Sequence, residues 1–209
     1  MKKLLLIICI MFSITLNAQT KFYFGPKVGY KSNNLTLDDF THSNVKGNLT
    51  LGAFGRIMFD NFIIQPELMY NHTTFTEYGC AHPITLCKVR NHSFALPIYF
   101  GYQFINKDNF NMRANLGPIV HFNFDKCIEN SPTSEYYPLE YICNYNFANL
   151  GAAFSLGVDI YRFTIDLGYS LGLTKVFYDG IVAADKINVI NGKVTQNTLT
   201  LTVGYRFGK

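Results

Sequence analysis

One stretch, Asn146–Phe177, restricts the fold more than any other part of the chain. Apolar residues alternate with small or polar ones from Leu150 to Ile160 and, after Tyr161-Arg162, from Phe163 to Leu173. A period of two indicates β-strands with one apolar and one polar face. The two runs predict a tight hairpin, since about two residues join them. Both runs exceed an ordinary strand of roughly 5–6 residues and match the ~9–11 residues of a membrane-spanning strand.

The same alternation recurs along the chain, so the hairpin is one part of a larger sheet. The apolar rows of eight strands start, in chain order, at Phe22, Leu49, Phe62, Phe94, Phe110, Leu150, Phe163 and Leu199. No segment has a convincing helical pattern. An even number of long, alternating strands is typical of outer-membrane barrels.

The connections between these strands alternate in length. Three are short, at Asp60-Asn61, Asn106–Asn109 and Tyr161-Arg162, and four are long, at Lys31–Gly47, Thr76–Asn91, Asp125–Tyr145 and Tyr178–Gln196. Outer-membrane barrels have short periplasmic turns and longer outer loops. The sequence therefore predicts an all-β fold, an eight-stranded antiparallel up-and-down transmembrane β-barrel with short periplasmic turns and long extracellular loops.

The first residues have the features of an export signal. Met1-Lys2-Lys3 is basic, a short apolar run follows, and Asn17-Ala18-Gln19 offers a small residue before a polar stretch. This pattern predicts a signal peptide over residues 1–18, too short for a transmembrane helix, and a barrel domain over residues 19–209. Of the 18 Lys and Arg residues two belong to the signal, so 16 remain against 14 acidic residues. That balance gives no reason to expect a nucleic-acid partner.

Seven phenylalanines share one end of the predicted strands. Each lies on an apolar row beside a short turn or a chain terminus; they are Phe22, Phe59, Phe62, Phe104, Phe110, Phe163 and Phe207. A ring of aromatic residues at one level is typical of a membrane interface. The alternative is that phenylalanine is common in any strand. We favour the aromatic girdle because both the row and the end agree in every case.

The polar rows indicate which face of the barrel meets lipid. They carry Gly, Ser, Thr and Asn with seven charged residues: Lys27, Arg56, Glu67, Arg113, Asp159, Asp166 and Arg206. A soluble barrel would cover its outside with many more charges. In the inverse arrangement Leu, Ile and Phe face lipid, and the small and charged residues fill a narrow lumen. We therefore predict a lumen charge network of paired ions that plugs the barrel and has a structural role.

Several motifs resemble a known family. They are Ile64–Leu68, Leu96–Phe100, Leu116–Pro118, Asp166–Leu173 and the terminal Gly204–Phe207, which together cover most of the chain after the signal. In this order they are similar to the PorT-like outer-membrane β-barrel proteins of Gram-negative bacteria. The resemblance implies an eight-stranded barrel in the bacterial cell outer membrane. It also implies insertion by the outer-membrane assembly machinery, with Phe207 in the terminal recognition signal.

Four cysteines follow the signal peptide, two in each of two long loops: Cys80, Cys87, Cys127 and Cys143. Because the outer surface is an oxidising environment, we predict the disulfides Cys80–Cys87 and Cys127–Cys143. The other two connectivities and free thiols are the alternatives. Each bridge would reduce the conformational entropy of a loop that has no core of its own. A metal site at Cys80, His82 and Cys87 is less favoured because it lacks a fourth ligand.

Two of the long loops have features of contact surfaces. The loop Asp125–Tyr145 is rich in tyrosine, and Tyr136, Tyr137 and Tyr141 are candidate loop contacts for a partner or ligand. The alternative is a lid packed over the barrel mouth. In the last loop, Asn191-Gly192 lies between β-branched residues and predicts a hairpin whose edge could pair with a partner strand.

An enzymatic function is a further alternative, because His72 and His92 flank one loop with Glu77 nearby. Hydrolysis or acyl transfer would require a base, a nucleophile or activated water, and an orienting group to converge. No spacing in the sequence requires that, and histidines at a rim are usually solvated. The sequence therefore favours a protein that is not an enzyme.

The preferred interpretation is an integral outer-membrane β-barrel with a plugged lumen and disulfide-closed surface loops for partner or ligand contact. No cofactor or metal is expected. The expected partners are outer-membrane lipid, the assembly machinery during insertion, and a surface protein or ligand at the loops, with no nucleic acid; we expect a monomer. The first alternative is an accessory subunit of a secretion or envelope complex, because the named member of the similar family is linked to secretion. The second is a rim-located lipid- or peptide-modifying enzyme.

Overall fold

The computed structural model describes residues 20–36, 43–44, 48–78, 86–124, 127–130, 140–143, 146–175 and 195–208. Within them the chain forms twelve strands: β1 (Thr20–Thr36), β2 (Ser43–Asn44), β3 (Asn48–Phe59), β4 (Phe62–Tyr78), β5 (Leu86–Lys107), β6 (Phe110–Asn123), β7 (Cys127–Asn130), β8 (Glu140–Cys143), β9 (Ala148–Ile160), β10 (Phe163–Gly172), β11 (Thr195–Tyr205) and β12 (Phe207–Gly208). Among the described residues there is no helix of the length and apolarity that a membrane span requires.

Eight of these strands form a closed antiparallel barrel in up-and-down order. Neighbours follow the chain through β1, β3, β4, β5, β6, β9, β10 and β11, and β11 pairs with β1, where Val28 lies opposite Val203. The short β12 continues the last strand beyond Arg206 and pairs with β1 at Tyr23 and Phe24. The predicted eight-stranded up-and-down barrel is therefore confirmed. Its three short turns lie at one end, called here the short-turn end, and the opposite end is the long-loop end.

The two faces of each barrel strand have opposite chemistry. In β9 the exposed Leu150, Phe154 and Leu156 alternate with the buried Ala153 and Ser155. The other barrel strands repeat this pattern, so large apolar side chains cover the outer face while most buried side chains are polar. An exposed apolar band around a closed barrel is what a lipid environment requires.

Two residues in the short turns have a left-handed backbone conformation. Asp60 has φ 54°, which Asp adopts readily, whereas Tyr161 has φ 52°, an uncommon conformation for an aromatic residue. Hydrogen bonds fix the turn at Tyr161 on both sides. The Tyr161 N–H donates to the Asn109 carbonyl at 3.0 Å, and the Arg206 side chain donates to the Tyr161 carbonyl at 2.9 Å. Neighbouring elements therefore fix this strained turn.

Several strands extend further than the alternation predicts. Within the predicted loop 76–91, the described residues 76–78 and 86–91 continue β4 and β5, and Thr76 pairs with Lys88 and Tyr78 with Leu86. Similarly, β1 continues to Thr36 although a loop was predicted from Lys31. The alternation of apolar and polar residues ends where a strand no longer faces lipid, although its backbone pairing continues. The extensions therefore could not be recognised from the alternation. The predicted signal peptide and the Asn191-Gly192 hairpin lie outside the described residues.

Aromatic residues concentrate at both ends of the outer face. At the short-turn end, Phe22, Phe62, Phe104, Phe110, Phe163 and Phe207 are exposed and Phe59 is half-buried. At the long-loop end the sequence analysis missed a second group, formed by Tyr70, Phe94, Phe122, Phe124 and Phe147. The ring centroids of Phe94 and Phe124 are 5.6 Å apart, edge to face. This second group was missed because Phe124 and Phe147 lie just beyond the recognised rows.

Candidate functional site in the barrel lumen

The predicted lumen charges all point into the barrel, and Asp159 binds the largest number of them. Its carboxylate oxygens accept hydrogen bonds from the Nη1 atoms of three arginines: Arg56 at 2.7 Å, Arg113 at 2.5 Å and Arg206 at 3.2 Å. Arg113 and Asp159 come from the neighbouring strands β6 and β9, whereas Arg56 reaches across from β3. One carboxylate on β9 therefore connects distant parts of the barrel wall.

The remaining ion pairs continue from this centre toward the long-loop end. Arg113 also binds Asp166 on β10, and Asp166 lies 2.7 Å from the ammonium group of Lys27 on β1. Lys27 in turn binds Glu67 on β4. All seven residues thus form one connected set, called here the ion-pair layer.

Neutral side chains add further hydrogen bonds to this layer. The Gln65 carbonyl oxygen accepts from Arg56 Nε at 2.6 Å, and its amide donates to Glu67 at 2.6 Å. The Thr164 hydroxyl accepts from Arg113 Nη2 at 2.7 Å. Sequence reasoning did not single out Gln65 and Thr164, although each lies on a polar row beside a predicted charge.

The space for the ion-pair layer depends on Gly157. A Cβ atom at this position would overlap the Asp166 carboxylate and the Arg113 guanidinium. Gly157 lies directly opposite both residues in the register of β9 with its two neighbours. A side chain at this position would therefore displace the ion pair between Arg113 and Asp166.

The ion-pair layer is almost completely removed from solvent. Arg56 and Asp159 are 0% exposed, and Arg113 is 1% exposed. Desolvation of such charges is costly, and loss of a single partner would leave an unpaired ion in a low-dielectric interior. The linked geometry compensates for this cost because every charge in the layer contacts an opposite charge.

A second layer, made of apolar side chains, lies beyond the ion-pair layer toward the long-loop end. It consists of Met69, Ala95, Tyr99, Ile119 and Ala153. On β4, Met69 is the inward residue that follows Glu67, and on β9, Ala153 follows Ser155 in the same direction. We call this group the apolar layer.

Large apolar residues inside the barrel correct the prediction of inward rows made only of small and charged residues. Phe54, Met58 and Ile63 are also buried. The ring of Phe54 has Lys27 on one side, 5.1 Å from its centroid, and Arg56 at 5.4 Å. Glycines on the inward rows leave volume that bulkier neighbours must fill, and an aromatic ring also stabilises nearby cations.

A third layer, polar but without carboxylates among the described residues, lies at the long-loop end of the lumen. Its buried members include Lys31, Asn33, Thr50, Asn71, Asn149 and Thr198, with the half-buried His121. The Thr50 hydroxyl donates to Asn71 at 2.9 Å, and the Thr198 hydroxyl donates to Asn33 at 2.8 Å. We call this group the outer polar layer.

The histidines considered for catalysis lie on the outer face. His72 and His92 are paired between β4 and β5, with their Nδ1 atoms 3.4 Å apart, and Tyr70 Oη lies 2.5 Å from His92 Nδ1. Both histidines belong to the outward rows and adjoin the aromatic group at the long-loop end. The side chain of Glu77 falls outside the part of the structure that is described.

The predicted loop residues are described only in part. Cys80, Tyr136 and Tyr137 lie outside the described residues, as do the side chains of Cys87, Cys127, Tyr141 and Cys143. The backbone of Cys127 is directly opposite that of Cys143 in the two-stranded sheet formed by β7 and β8. Within the described residues, no cluster of three or more His, Cys, Asp or Glu side chains could hold a metal ion.

The sequence was compared with known protein families. Residues 17–178 match the sequence profile of the family described as outer membrane protein beta-barrel domain. The chain belongs to this family. It is accordingly a protein of the bacterial outer membrane, with the exposed apolar band facing lipid and the short-turn end facing the periplasm.

Solved outer-membrane barrels have a similar fold at low sequence identity. The outer membrane protein OprG from Pseudomonas aeruginosa is 14% identical with a TM-score of 0.57, and the match covers 92% of this chain and 98% of that chain. A major outer membrane protein from Thermus thermophilus is 11% identical with a TM-score of 0.53, covering 90% and 100%. The attachment invasion locus protein Ail of Yersinia pestis is 15% identical with a TM-score of 0.46, covering 88% and 98%. No curated protein matches this chain.

Proposed function

We propose that the protein is a non-enzymatic outer-membrane barrel whose lumen is plugged and whose surface loops contact a partner or ligand. The ion-pair layer is the observation that carries this proposal. Its charges come from β1, β3, β4, β6, β9 and β10, with Arg206 between β11 and β12. This connected set of ions joins nearly the whole barrel wall. Transport through the lumen is therefore unfavourable, because opening a path would separate several buried charge pairs.

Two further features support a closed lumen. The interior of an eight-stranded barrel is just wide enough for side chains to fill it. The apolar layer lies directly above the ion-pair layer, so a hydrated solute would meet an apolar barrier as well as bound charges. The function is therefore assigned to the surface and not to a channel.

The long-loop end provides the surface. β4 and β5 contain 17 and 22 residues, more than the ~9–11 residues needed to cross the membrane. Their outer parts project as a paired hairpin, and β7 and β8 form a second small sheet beside it. The backbone register of Cys127 and Cys143 favours a disulfide across β7 and β8. Tyr136, Tyr137 and Tyr141 remain the candidate contact residues.

The closed lumen is tested by electrical recording of the purified protein in planar lipid bilayers. We expect no steady conductance from the wild-type barrel. A reproducible single-channel conductance at neutral pH would contradict the plugged lumen. Asp159→Ala serves as a comparison, because removal of the central carboxylate should produce unstable, fluctuating leaks if the ion pairs close the barrel.

Surface contact is tested separately by pulldown from detergent-solubilised outer membranes. The tagged wild-type protein should retain a specific partner, and a triple Tyr136→Ser, Tyr137→Ser, Tyr141→Ser variant should lose it. A matched control changes the exposed Tyr102 on the lipid-facing side to Ser. Equal capture by the triple variant and the wild-type protein would rule out these tyrosines as the contact.

A role as an accessory of a secretion or envelope complex is the second candidate. The PorT-like motifs, of which Asp166–Leu173 is the longest, favour it. This candidate requires the barrel to co-purify with other envelope proteins in a fixed ratio. Isolation of the barrel alone after mild solubilisation and chemical cross-linking would argue against it.

A rim-located enzyme is the third candidate, favoured only by the proximity of His72 and His92. Their position on the lipid-facing side directs attention to lipid substrates. A His72→Ala, His92→Ala double variant with unchanged lipid A and outer-membrane protein profiles would eliminate this candidate.

A further inference from the structure

The outer polar layer contains a buried cation with no counterpart. Lys31 is 3% exposed and points into the lumen from β1. Among the residues that the structure describes, no carboxylate and no hydrogen-bond acceptor pairs with its ammonium group. The three lumen carboxylates whose side chains are described belong to the ion-pair layer, where they already bind Lys27, Arg56, Arg113 and Arg206. An unpaired ammonium group at this depth is unfavourable unless an anion accompanies it.

Other polar groups face the same part of the lumen. His121 on β6 lies close enough to Lys31 for the two groups to interact electrostatically across the barrel. Directly opposite His121 in the register of β6 and β9 is Asn149, which is 6% exposed. The Asn149 side-chain oxygen has no hydrogen-bond partner within the described part of the chain, so the amide is free to turn its nitrogen, a donor, toward a bound anion. Two strands on the far wall therefore present polar groups toward the side from which Lys31 extends.

The described lumen also has an excess of positive charge. Lys27, Lys31, Arg56, Arg113 and Arg206 are buried or nearly so, whereas only Glu67, Asp159 and Asp166 oppose them among the described residues. Four of these cations share the three carboxylates of the ion-pair layer, whereas Lys31 contacts none of the three. A closed low-dielectric interior strengthens the attraction between this charge and an entering anion.

We propose that Lys31, His121 and Asn149 form a binding site for one small anion, of the carboxylate or phosphate class, in the outer half of the lumen. Lys31 supplies the charge, and the amide and imidazole groups provide hydrogen bonds to the bound anion. The anion enters from the long-loop end, since the apolar layer and the ion-pair layer close the lumen below. The site is separate from the loop surface proposed above and does not depend on it.

The site is tested with the full mature chain in lipid nanodiscs, using ¹³C labelling of the histidine rings. Inorganic phosphate and acetate are titrated as separate probes, each against sodium chloride at equal ionic strength. The expected result is a saturable shift of the His121 resonance with at least one probe. The comparison of phosphate with acetate identifies the preferred anion class.

Variants separate a specific site from general electrostatic attraction. Lys31→Gln and Lys31→Met should weaken binding by roughly tenfold or more, as expected when one charge-assisted hydrogen bond is removed. Lys31→Arg should retain binding. Lys107→Gln removes the same charge from the exposed short-turn end and should leave the affinity unchanged. An unheated gel checks that each variant is folded.

Two results would overturn the proposal. One is the absence of a saturable His121 shift with either probe in the wild-type protein. The other is equal affinity in the wild-type protein and in either neutral Lys31 variant.

Discussion

Lys27 and Lys31 lie on the same inward row of β1 with Gly29 between them, and each is 3% exposed, yet their surroundings differ. Lys27 contacts Glu67 and Asp166. Lys31 has no carboxylate beside it among the described residues. Two lysines on one strand thus differ in role. Lys27 links strands through its ion pairs, whereas Lys31 has no described carboxylate to compensate its charge.

This difference divides the lumen by function. In the ion-pair layer every charge links its own segment to at least one other strand, so substitutions there should affect stability. In the outer polar layer the hydrogen bonds are local, as between Thr50 and Asn71 on adjacent strands, and substitutions should affect ligand occupancy instead. Burial alone does not distinguish the two layers, because both contain buried lysines. They differ in the number of carboxylates beside each cation among the described residues.

The largest expected effect is at the centre of the ion-pair layer. Asp159→Asn would leave Arg56, Arg113 and Arg206 without their shared carboxylate, and we expect the barrel to lose about 3–5 kcal/mol of unfolding free energy. Urea unfolding in phospholipid vesicles, followed by circular dichroism, measures the loss. Asp108→Asn, in an exposed turn, is the control and should change the stability by less than about 0.5 kcal/mol. Equal stability of the two variants would refute the structural role of Asp159.

The comparison of the two lysines is tested directly with matched substitutions. Lys27→Met leaves Glu67 and Asp166 with one cation fewer and should cost about 3 kcal/mol. Lys31→Met removes an unpaired buried charge and should be neutral or stabilising in buffer free of phosphate and carboxylate. The same urea experiment measures both variants. If Lys31→Met were the more damaging substitution, the division of the lumen would be wrong.

A smaller effect is expected from steric intrusion into the ion-pair layer. Gly157→Ala places a methyl group where the Asp166 and Arg113 side chains lie, and we expect a loss of about 1–3 kcal/mol. Gly168→Ala on β10 is the matched control, because the nearest atom to its added Cβ is the Phe154 carbonyl oxygen at 3.6 Å. That control should be neutral or slightly stabilising. Similar losses of unfolding free energy for both variants would mean that a change in the backbone, and not displacement of the ion pairs, causes the loss.

The smallest effect on barrel stability is expected at the cysteines of the predicted long loops. We expect Cys80–Cys87 and Cys127–Cys143 bridges, so thiol alkylation of the unreduced protein should label no cysteine and reduction should expose four. Reduction should leave the urea midpoint of the barrel nearly unchanged. Mass spectrometry of the alkylated protein detects the bridges, and labelling of all four thiols without reductant would disprove them.

The barrel could be predicted from the sequence because lipid imposes a strict alternation on each strand. The same alternation places Asp159 and Arg113 on inward rows, so their burial followed from the pattern. The pattern carries no information on which charges meet across the lumen. The contact of Arg56 with Asp159 depends on barrel closure, and the isolation of Lys31 depends on where each carboxylate lies along its strand. Lys31 was therefore missed, because it was assigned to the first residue of a loop.

The contact of Arg56 with Asp159 joins residues separated by 103 positions in the chain. Contacts of such long sequence separation form slowly, because many residues must be ordered before they can meet. A partly inserted barrel would present these ions to lipid without their partners, at a cost of several kcal/mol for each charge. Assembly in the membrane should consequently be all-or-none: the last strand, with Arg206, must close against β1 before the interior charges become tolerable. This cost is a physical reason to expect that insertion machinery shields the half-formed interior.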